Sequence, residues 1–258
     1  MKAKKSYGQH FLTNEHLAQR IADSLVQPYT RMLEVGPGKG MLTKYLLEKP
    51  AELKVVEADH DMVEYLQKFY PQLGNNILEG DFLKARLDEI FDNQSFALIG
   101  NFPYNISSQI VFKMVEYRHL ISEMVGMFQK EMAERIIATP GGKDYGVISV
   151  LTQAFYEGKM LFNVSKGNFN PPPKVESAVI RLTRKDNPEL DYDFALFRNI
   201  VKTTFNQRRK MLRNTLKGFF KDESILEEPF FQQRPEQLSV ADYITLAQRI
   251  REVEGFKG

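Results

Sequence analysis

The chain has no cysteine, only four histidines, and no apolar run near the ~18 residues that a membrane span requires. Without thiols there is no disulfide framework, no thiolate nucleophile and no zinc site built on Cys. His10, His16, His60 and His119 show no paired ligand spacing, so no metal is expected. An excess of charge of one sign is missing too: 35 Lys+Arg against 33 Asp+Glu leave a formal net charge of +2. A whole-molecule polycation is excluded, and any nucleic-acid surface must come from uneven placement of those charges. The opening Met1-Lys2-Ala3-Lys4-Lys5-Ser6 is basic but runs into no apolar stretch or small-residue cleavage site, so neither a secretory signal nor a membrane partner is expected and a cytoplasmic location fits. What is present is 258 residues, 43% hydrophobic and 26% charged. That is enough for a real core and excludes disordered and fibrous classes.

From Arg31 to about Thr183, short apolar runs alternate with longer amphipathic stretches, which predicts an α/β domain with a mostly parallel sheet. Strands are expected at 32–35, 53–58, 76–78, 96–99, 124–128, 159–164 and 178–182. Helices are expected after Gly40 and at 61–69, 107–116, 130–138 and 146–155. Lys185-Asp186-Asn187-Pro188-Glu189 is polar and breaks structure, and the chain beyond Asp193 reads as helical. The expected division is therefore 1–185, a catalytic α/β domain with a basic N-terminal arm, and 186–258, a small helical domain.

Glu34-Val35-Gly36-Pro37-Gly38-Lys39-Gly40 runs from an apolar strand into a glycine loop and then a helix. Glycines let backbone approach a ligand closely, and a helix start just behind presents unpaired N–H groups. Glu57 follows at the end of the next strand, where a carboxylate can accept both hydroxyls of a ribose. Asp81 ends the strand after that. A dinucleotide site calls for G-x-G-x-x-G, whereas here the third glycine is Gly40 and Met41 stands where the fingerprint wants it. The pattern suits S-adenosylmethionine, which carries no phosphate; a tight turn with surface acids is the plainer alternative.

The most informative stretch is Gly100-Asn101-Phe102-Pro103-Tyr104-Asn105-Ile106-Ser107, just past an apolar strand. Residues beyond the carboxyl end of a strand line the ligand crevice of an open α/β sheet. An adenine amino nitrogen is a poor nucleophile because its lone pair is delocalised into the ring. Hydrogen-bond acceptors such as the Asn101 side chain and the Phe102 carbonyl can localise that pair, while Tyr104 offers a face for an extruded base. The alternative is a Pro-Tyr loop that only caps the sheet.

With these motifs in order, the chain resembles the ribosomal RNA adenine N6,N6-dimethyltransferases, and among them the small-subunit dimethyladenosine transferases. The resemblance also rests on Gly8-Gln9-His10-Phe11-Leu12, Gln129-Lys130-Glu131-Met132-Ala133-Glu134-Arg135, Phe169-Asn170-Pro171-Pro172-Pro173-Lys174-Val175-Glu176-Ser177 and Gln207-Arg208-Arg209-Lys210-Met211-Leu212-Arg213, and covers nearly the whole chain. It implies a Rossmann-like class I fold and transfer of two methyl groups from S-adenosylmethionine to adenine N6. His10, Leu12, Gly36, Glu57, Asp81 and Asn101 would then hold the cofactor. Asn101, Phe102, Tyr104 and Phe169 would form the methyl-transfer site, with Phe169 stacking on the target adenine. The implied substrate is a pair of adjacent adenines near the 3′ end of small-subunit rRNA in an immature particle, and the enzyme is expected to be a monomer. Two residues depart from the family pattern: His10 where many members have Asn, and Phe102 where Leu is usual.

Seven basic residues and no acid lie within 198–217. Read as one helix, this stretch puts Arg198, Lys202, Arg209, Arg213 and Lys217 in a band beside an apolar stripe, able to track a phosphate backbone. Lys4, Lys5, Arg208, Arg209, Lys210 and Arg213 are the expected RNA contacts; a solvated helix face is the alternative. Three rival functions share parts of the pattern: a large-subunit rRNA adenine methylase of the antibiotic-resistance type, a DNA adenine methyltransferase, and an assembly factor that acts by binding.

Overall fold

A computed structural model describes residues 9–186 and 192–254. The chain opens with a two-residue strand β1 (Phe11–Leu12) and helix α1 (Glu15–Ala22). Asn14 caps α1 by accepting the Leu17 N–H, and Ala18, Ile21 and Ala22 form its buried side. Then come β2 (Arg31–Val35), α2 (Thr43–Leu46), β3 (Glu52–Glu57), α3 (His60–Phe69), β4 (Ile77–Glu79), α4 (Leu87–Ile90), β5 (Phe96–Asn101), α5 (Ser107–Glu116) and β6 (Ile121–Gln129). Helices α6 (Lys130–Ile136) and α7 (Val147–Gln153) precede β7 (Tyr156–Val164), the two-residue β8 (Phe169–Asn170) and β9 (Ser177–Arg184). The C-terminal helices are α8 (Phe194–Asn206), α9 (Leu212–Thr215) and α10 (Val240–Glu254), with short 3-10 turns between α9 and α10.

Seven strands form one sheet in the order β4-β3-β2-β5-β6-β9-β7. The pairs β3–β4, β2–β3, β2–β5 and β5–β6 are parallel, and β9 runs antiparallel to β6. The central strands are buried on both faces: Met32 to Val35 and Phe96 to Gly100 have no exposed residue. That is why they read in sequence as continuous apolar runs rather than as alternation. The strand order reverses between β2 and β5, and the carboxyl ends of β2, β3, β4 and β5 lie at one edge, which is where open α/β sheets bind ligands.

All seven sheet strands and the five helices expected between Gly40 and Phe155 are present, with bounds shifted by a few residues. Helices α1 and α4 and the strands β1 and β8 were not anticipated. The last two pair antiparallel across the fold, Leu12 opposite Phe169 and Phe11 opposite Asn170.

The expected single helix over 198–217 is not there. Helix α8 ends at Asn206, because Gln207 leaves helical geometry at φ −122°, ψ 42°, and α9 starts only at Leu212. Three tertiary hydrogen bonds hold the break open. Leu212 N–H donates to the Gln233 carbonyl, and the Arg208 guanidinium donates to the carbonyls of Gly142 and Lys143. The band of five cations on one continuous helix face is therefore not formed.

The chain divides into two compact units, Met1–Ala133 with Glu157–Arg184, and Glu134–Tyr156 with Lys185–Gly258. The first contains the sheet. The second takes in α7 as well as the C-terminal helices, because α7 buries Val150 and Leu151 and packs on α8. Its core includes Phe197, Ile200, Leu212, Phe231 and Tyr243. The Tyr243 hydroxyl donates to the Pro235 carbonyl and lies 3.2 Å from Thr204 Oγ1.

Candidate active site

At the carboxyl end of β2 the chain turns through Gly36, Gly38 and Gly40, with φ of 67°, 55° and 75°. These are left-handed values that side-chain-bearing residues rarely adopt. Gly40 is doubly constrained, since a Cβ there would come within 2.3 Å of the Tyr70 ring, whose hydroxyl donates to the Gly40 carbonyl at 3.0 Å. A Cβ on Gly38 would meet the Phe11 ring at 3.0 Å, so the arm closes directly onto this loop.

Three carboxylates face the same cavity. Glu34, on β2, is buried and accepts the Thr43 hydroxyl at 2.7 Å; burial pushes its carboxyl up to about 8. Glu57, at the end of β3, accepts the Gly38 N–H on Oε2 at 3.0 Å and the Asp59 N–H on Oε1 at 2.9 Å. Burial raises its pKa and those N–H groups oppose the rise. Each oxygen keeps a lone pair, so the fixed carboxylate fits a pair of ribose hydroxyls. Asp81 follows β4 and accepts the Leu83 N–H on Oδ1 at 2.9 Å, which leaves Oδ2 for a ligand.

Asn101 ends β5. Its Nδ2 donates to the His10 carbonyl at 2.9 Å, and since that carbonyl can only accept, the amide is held with Oδ1 as its remaining acceptor. The Phe102 ring is 1% exposed and packs on Phe128, with ring centroids 5.2 Å apart. It passes so close to Gly126 that a Cβ there would lie 2.3 Å from the ring. A Phe in place of Leu is thus accommodated by glycine on the neighbouring strand, and its side chain belongs to the core. Tyr104 places its hydroxyl 2.6 Å from Ser177 Oγ, and its ring stacks on His10 with centroids 5.4 Å apart and 26° between planes. His10 Nδ1 lies 2.8 Å from the Pro171 carbonyl, to which it donates.

His10, Leu12, Gly36, Glu57, Asp81, Asn101, Phe102 and Tyr104 all line one cavity of about 860 Å³ within the first unit. Gln9, Phe82 and Pro171 also line it and were not picked out from sequence. Gln9 has a visible purpose: its amide donates to Asp59 Oδ2 and ties the arm to the residue that binds Glu57.

Phe169 is the exception, and its expected stacking role needs correcting. It is 4% exposed, sits opposite Leu12 in the β1–β8 pair and packs in the hydrophobic core, off the cavity wall. An aromatic ring buried this way has no open face for a base.

The expected RNA contacts lie elsewhere. Lys4 and Lys5 fall outside the described residues. In the second unit Arg209 and Lys210 are exposed and Arg213 is half-buried, whereas Arg208 is engaged with the carbonyls of the 142–143 turn and lies 3.9 Å from Glu236. Among the described residues, no group of three or more His, Cys, Asp or Glu side chains is placed to hold a metal ion.

A family model described as ribosomal RNA adenine dimethylase matches residues 1–253. A protein of Flavobacterium johnsoniae named ribosomal RNA small subunit methyltransferase A is 52% identical over 251 residues, covering 97% of this chain and 96% of the relative. The protein of the same name from Bacteroides thetaiotaomicron is 53% identical over 254 residues, covering 98% and 95%. Among solved structures, a dimethyladenosine transferase from Plasmodium falciparum matches with a TM-score of 0.82 at 26% identity, over 95% of this chain and 98% of that one. The 23S rRNA methyltransferase ErmE matches at 0.65 and 26%, over 92% and 99%.

Proposed function

The chain belongs to the ribosomal RNA adenine dimethylase family, and from that premise we propose that it dimethylates N6 of two adjacent adenines near the 3′ end of small-subunit rRNA. Its fold is that of the class I S-adenosylmethionine-dependent methyltransferases. The substrate reading is supported by the two relatives at 52% and 53% identity, both named for the small subunit. The observation that carries the chemistry is the fixed Asn101 amide, whose oxygen is offered to the cavity that also holds Gly36, Glu57 and Asp81.

The glycine loop and the carboxylates of Glu57 and Asp81 fit S-adenosylmethionine: Glu57 would take the ribose hydroxyls, Asp81 the adenine amino group, and the Gly36 loop the methionine end, with His10 and Leu12 closing the pocket from the arm. When bound, that molecule supplies a methyl group on a positively charged sulfur, already activated for in-line attack. The protein's part is alignment and electrostatics. Asn101 Oδ1 and the Phe102 carbonyl accept the two amino hydrogens of the target adenine, which localises the nitrogen lone pair toward the methyl carbon. Tyr104, braced by Ser177 and His10, holds the base plane. The amino proton leaves to water after transfer. The second methylation needs S-adenosylhomocysteine to be exchanged for fresh S-adenosylmethionine, and the monomethylated nitrogen then donates its one remaining hydrogen to one of the two acceptors.

The protein works as a cytoplasmic monomer on the immature small-subunit particle. The large-subunit alternative has one observation behind it, the fold match to ErmE, but at half the identity of the small-subunit relatives. Labelled S-adenosylmethionine offered with small-subunit particles, large-subunit RNA or duplex DNA, followed by nucleoside analysis, tests the assignment. Dimethyladenosine with the small-subunit particle alone is the expected result. Label on either other substrate overturns the substrate, and particle binding without label favours an assembly factor.

A further inference from the structure

Lys113 projects from α5 and is 8% exposed, yet it lies outside the cavity lining. Its ammonium donates to the Leu83 carbonyl at 2.9 Å and the Ala85 carbonyl at 2.6 Å, beside the rings of Phe82 and Tyr117. Burying an ammonium is unfavourable, and a Met of similar length would fill the same space without that penalty. What the charge secures is visible in the partners. Both residues whose carbonyls it takes also bind Asp81 through their N–H groups: Leu83 N–H donates to Asp81 Oδ1 at 2.9 Å, and Ala85 N–H to the Asp81 carbonyl at 3.2 Å, which also accepts the N–H of the intervening Lys84 at 2.9 Å. Lys113 thus closes a turn that holds both the side chain and the main chain of Asp81. It does so from the helix that begins just after Asn101–Ile106.

We propose that Lys113 is a positioning residue for recognition of the cofactor's adenine, acting through the Leu83–Ala85 turn on Asp81. This rests on the reading that Asp81 accepts the adenine amino group. Loss of the cation frees the turn, lets Asp81 Oδ2 drift, and weakens binding at the purine end while the methyl-transfer end keeps its geometry.

Calorimetry on the full-length protein with S-adenosylhomocysteine, and with its counterpart carrying a 6-oxo purine, tests this alongside kcat at saturating S-adenosylmethionine. Lys113→Met should weaken S-adenosylhomocysteine about tenfold, the scale of one charge-assisted hydrogen bond removed. It should also shrink the preference over the 6-oxo analogue and leave kcat nearly unchanged. Lys113→Arg, which keeps donors for both carbonyls, should restore most of the preference. A Lys113→Met protein with lower Tm but wild-type preference shows a stability role only and overturns the proposal. If Lys113→Met does not fold, Lys113→Gln, which keeps a donor, is read by the same ratio. Asp81→Asn separates the two layers: if it leaves the preference intact, the reading of Asp81 fails and takes the proposal with it. If Asp81→Asn abolishes the preference while the Lys113 variants keep it, only the role of Lys113 fails.

Discussion

Asn101 does two jobs with one amide, because its nitrogen is held by the His10 carbonyl and its oxygen is thereby presented to the cavity. Asn101→Ala should lower kcat by about 10²–10³, the usual loss for one preorganised polar group, with affinity for S-adenosylmethionine changed only a few-fold by calorimetry. Asn101→Asp should not recover activity, since an oxygen would then face the His10 carbonyl, acceptor against acceptor. Equal losses of turnover and cofactor binding would overturn the assignment. Glu34 carries a different prediction. Burial lifts its carboxyl from 4.5 to about 8, with the Thr43 hydroxyl pulling the other way. Between those values the folded protein retains a proton that the unfolded chain has lost. Stability from this group is therefore full below about pH 4.5, declines as the pH rises, and is exhausted above about 8. Denaturant midpoints measured across that window should show the decline in the wild-type protein, and Glu34→Gln should flatten it. An unchanged slope in that variant would mean Glu34 is ionised in the folded state.

At the scale of elements, the arm is joined to the fold by two strands of two residues each, and Phe169 is the ring that makes this joint stable. Phe169→Ala should cost about 3–5 kcal/mol of folding stability in urea titrations, as for other buried rings. Phe169→Leu should keep most of the methyl-transfer activity, because the ring presents no face to the cavity. A Leu variant that folds normally but is inactive would restore a stacking role. The same joint shows why some elements were legible in sequence and others were not. Strands β2 and β5 are buried on both sides and announce themselves as apolar runs, β3 does so only over Val55 and Val56, and the residues at their carboxyl ends, Gly36, Glu57 and Asn101, could be placed at the cavity for that reason. Strands β1 and β8 are too short for periodicity and exist only through a pairing across about 158 positions of chain. Helix α1 did carry a signal, the Asn14 cap and the Leu17, Ala18, Ile21 spacing, and it went unread. In 198–217 the apolar period runs on past a break that is held by partners distant in sequence, the Gly142, Lys143 and Gln233 carbonyls. Lys113 was illegible for the same reason, since its partners are backbone atoms 28 and 30 positions upstream.

For the whole molecule, a net charge of +2 leaves RNA binding to local clusters, and the break after α8 changes which cations belong to them. Arg208 spends its guanidinium on two carbonyls of its own unit, whereas Arg209 and Lys210 stay exposed. Neighbours in sequence should therefore behave differently when removed. Converting Arg209 and Lys210 to Ala should reduce the slope of log affinity for small-subunit RNA against log salt by about 0.7–0.9 for each phosphate no longer neutralised. The affinity for S-adenosylmethionine should hold, because every residue lining its cavity belongs to the other unit. Arg208→Ala should instead lower Tm, through two backbone carbonyls left without their charged donor, with the salt slope nearly unchanged. Filter-binding titrations at several salt concentrations, paired with thermal melts, separate the two effects. If Arg208→Ala lowers the slope as much as its neighbours do while the melt is unaffected, its guanidinium leaves the 142–143 turn for phosphate when RNA binds, and the cation band expected from the sequence is assembled by the RNA rather than by the fold.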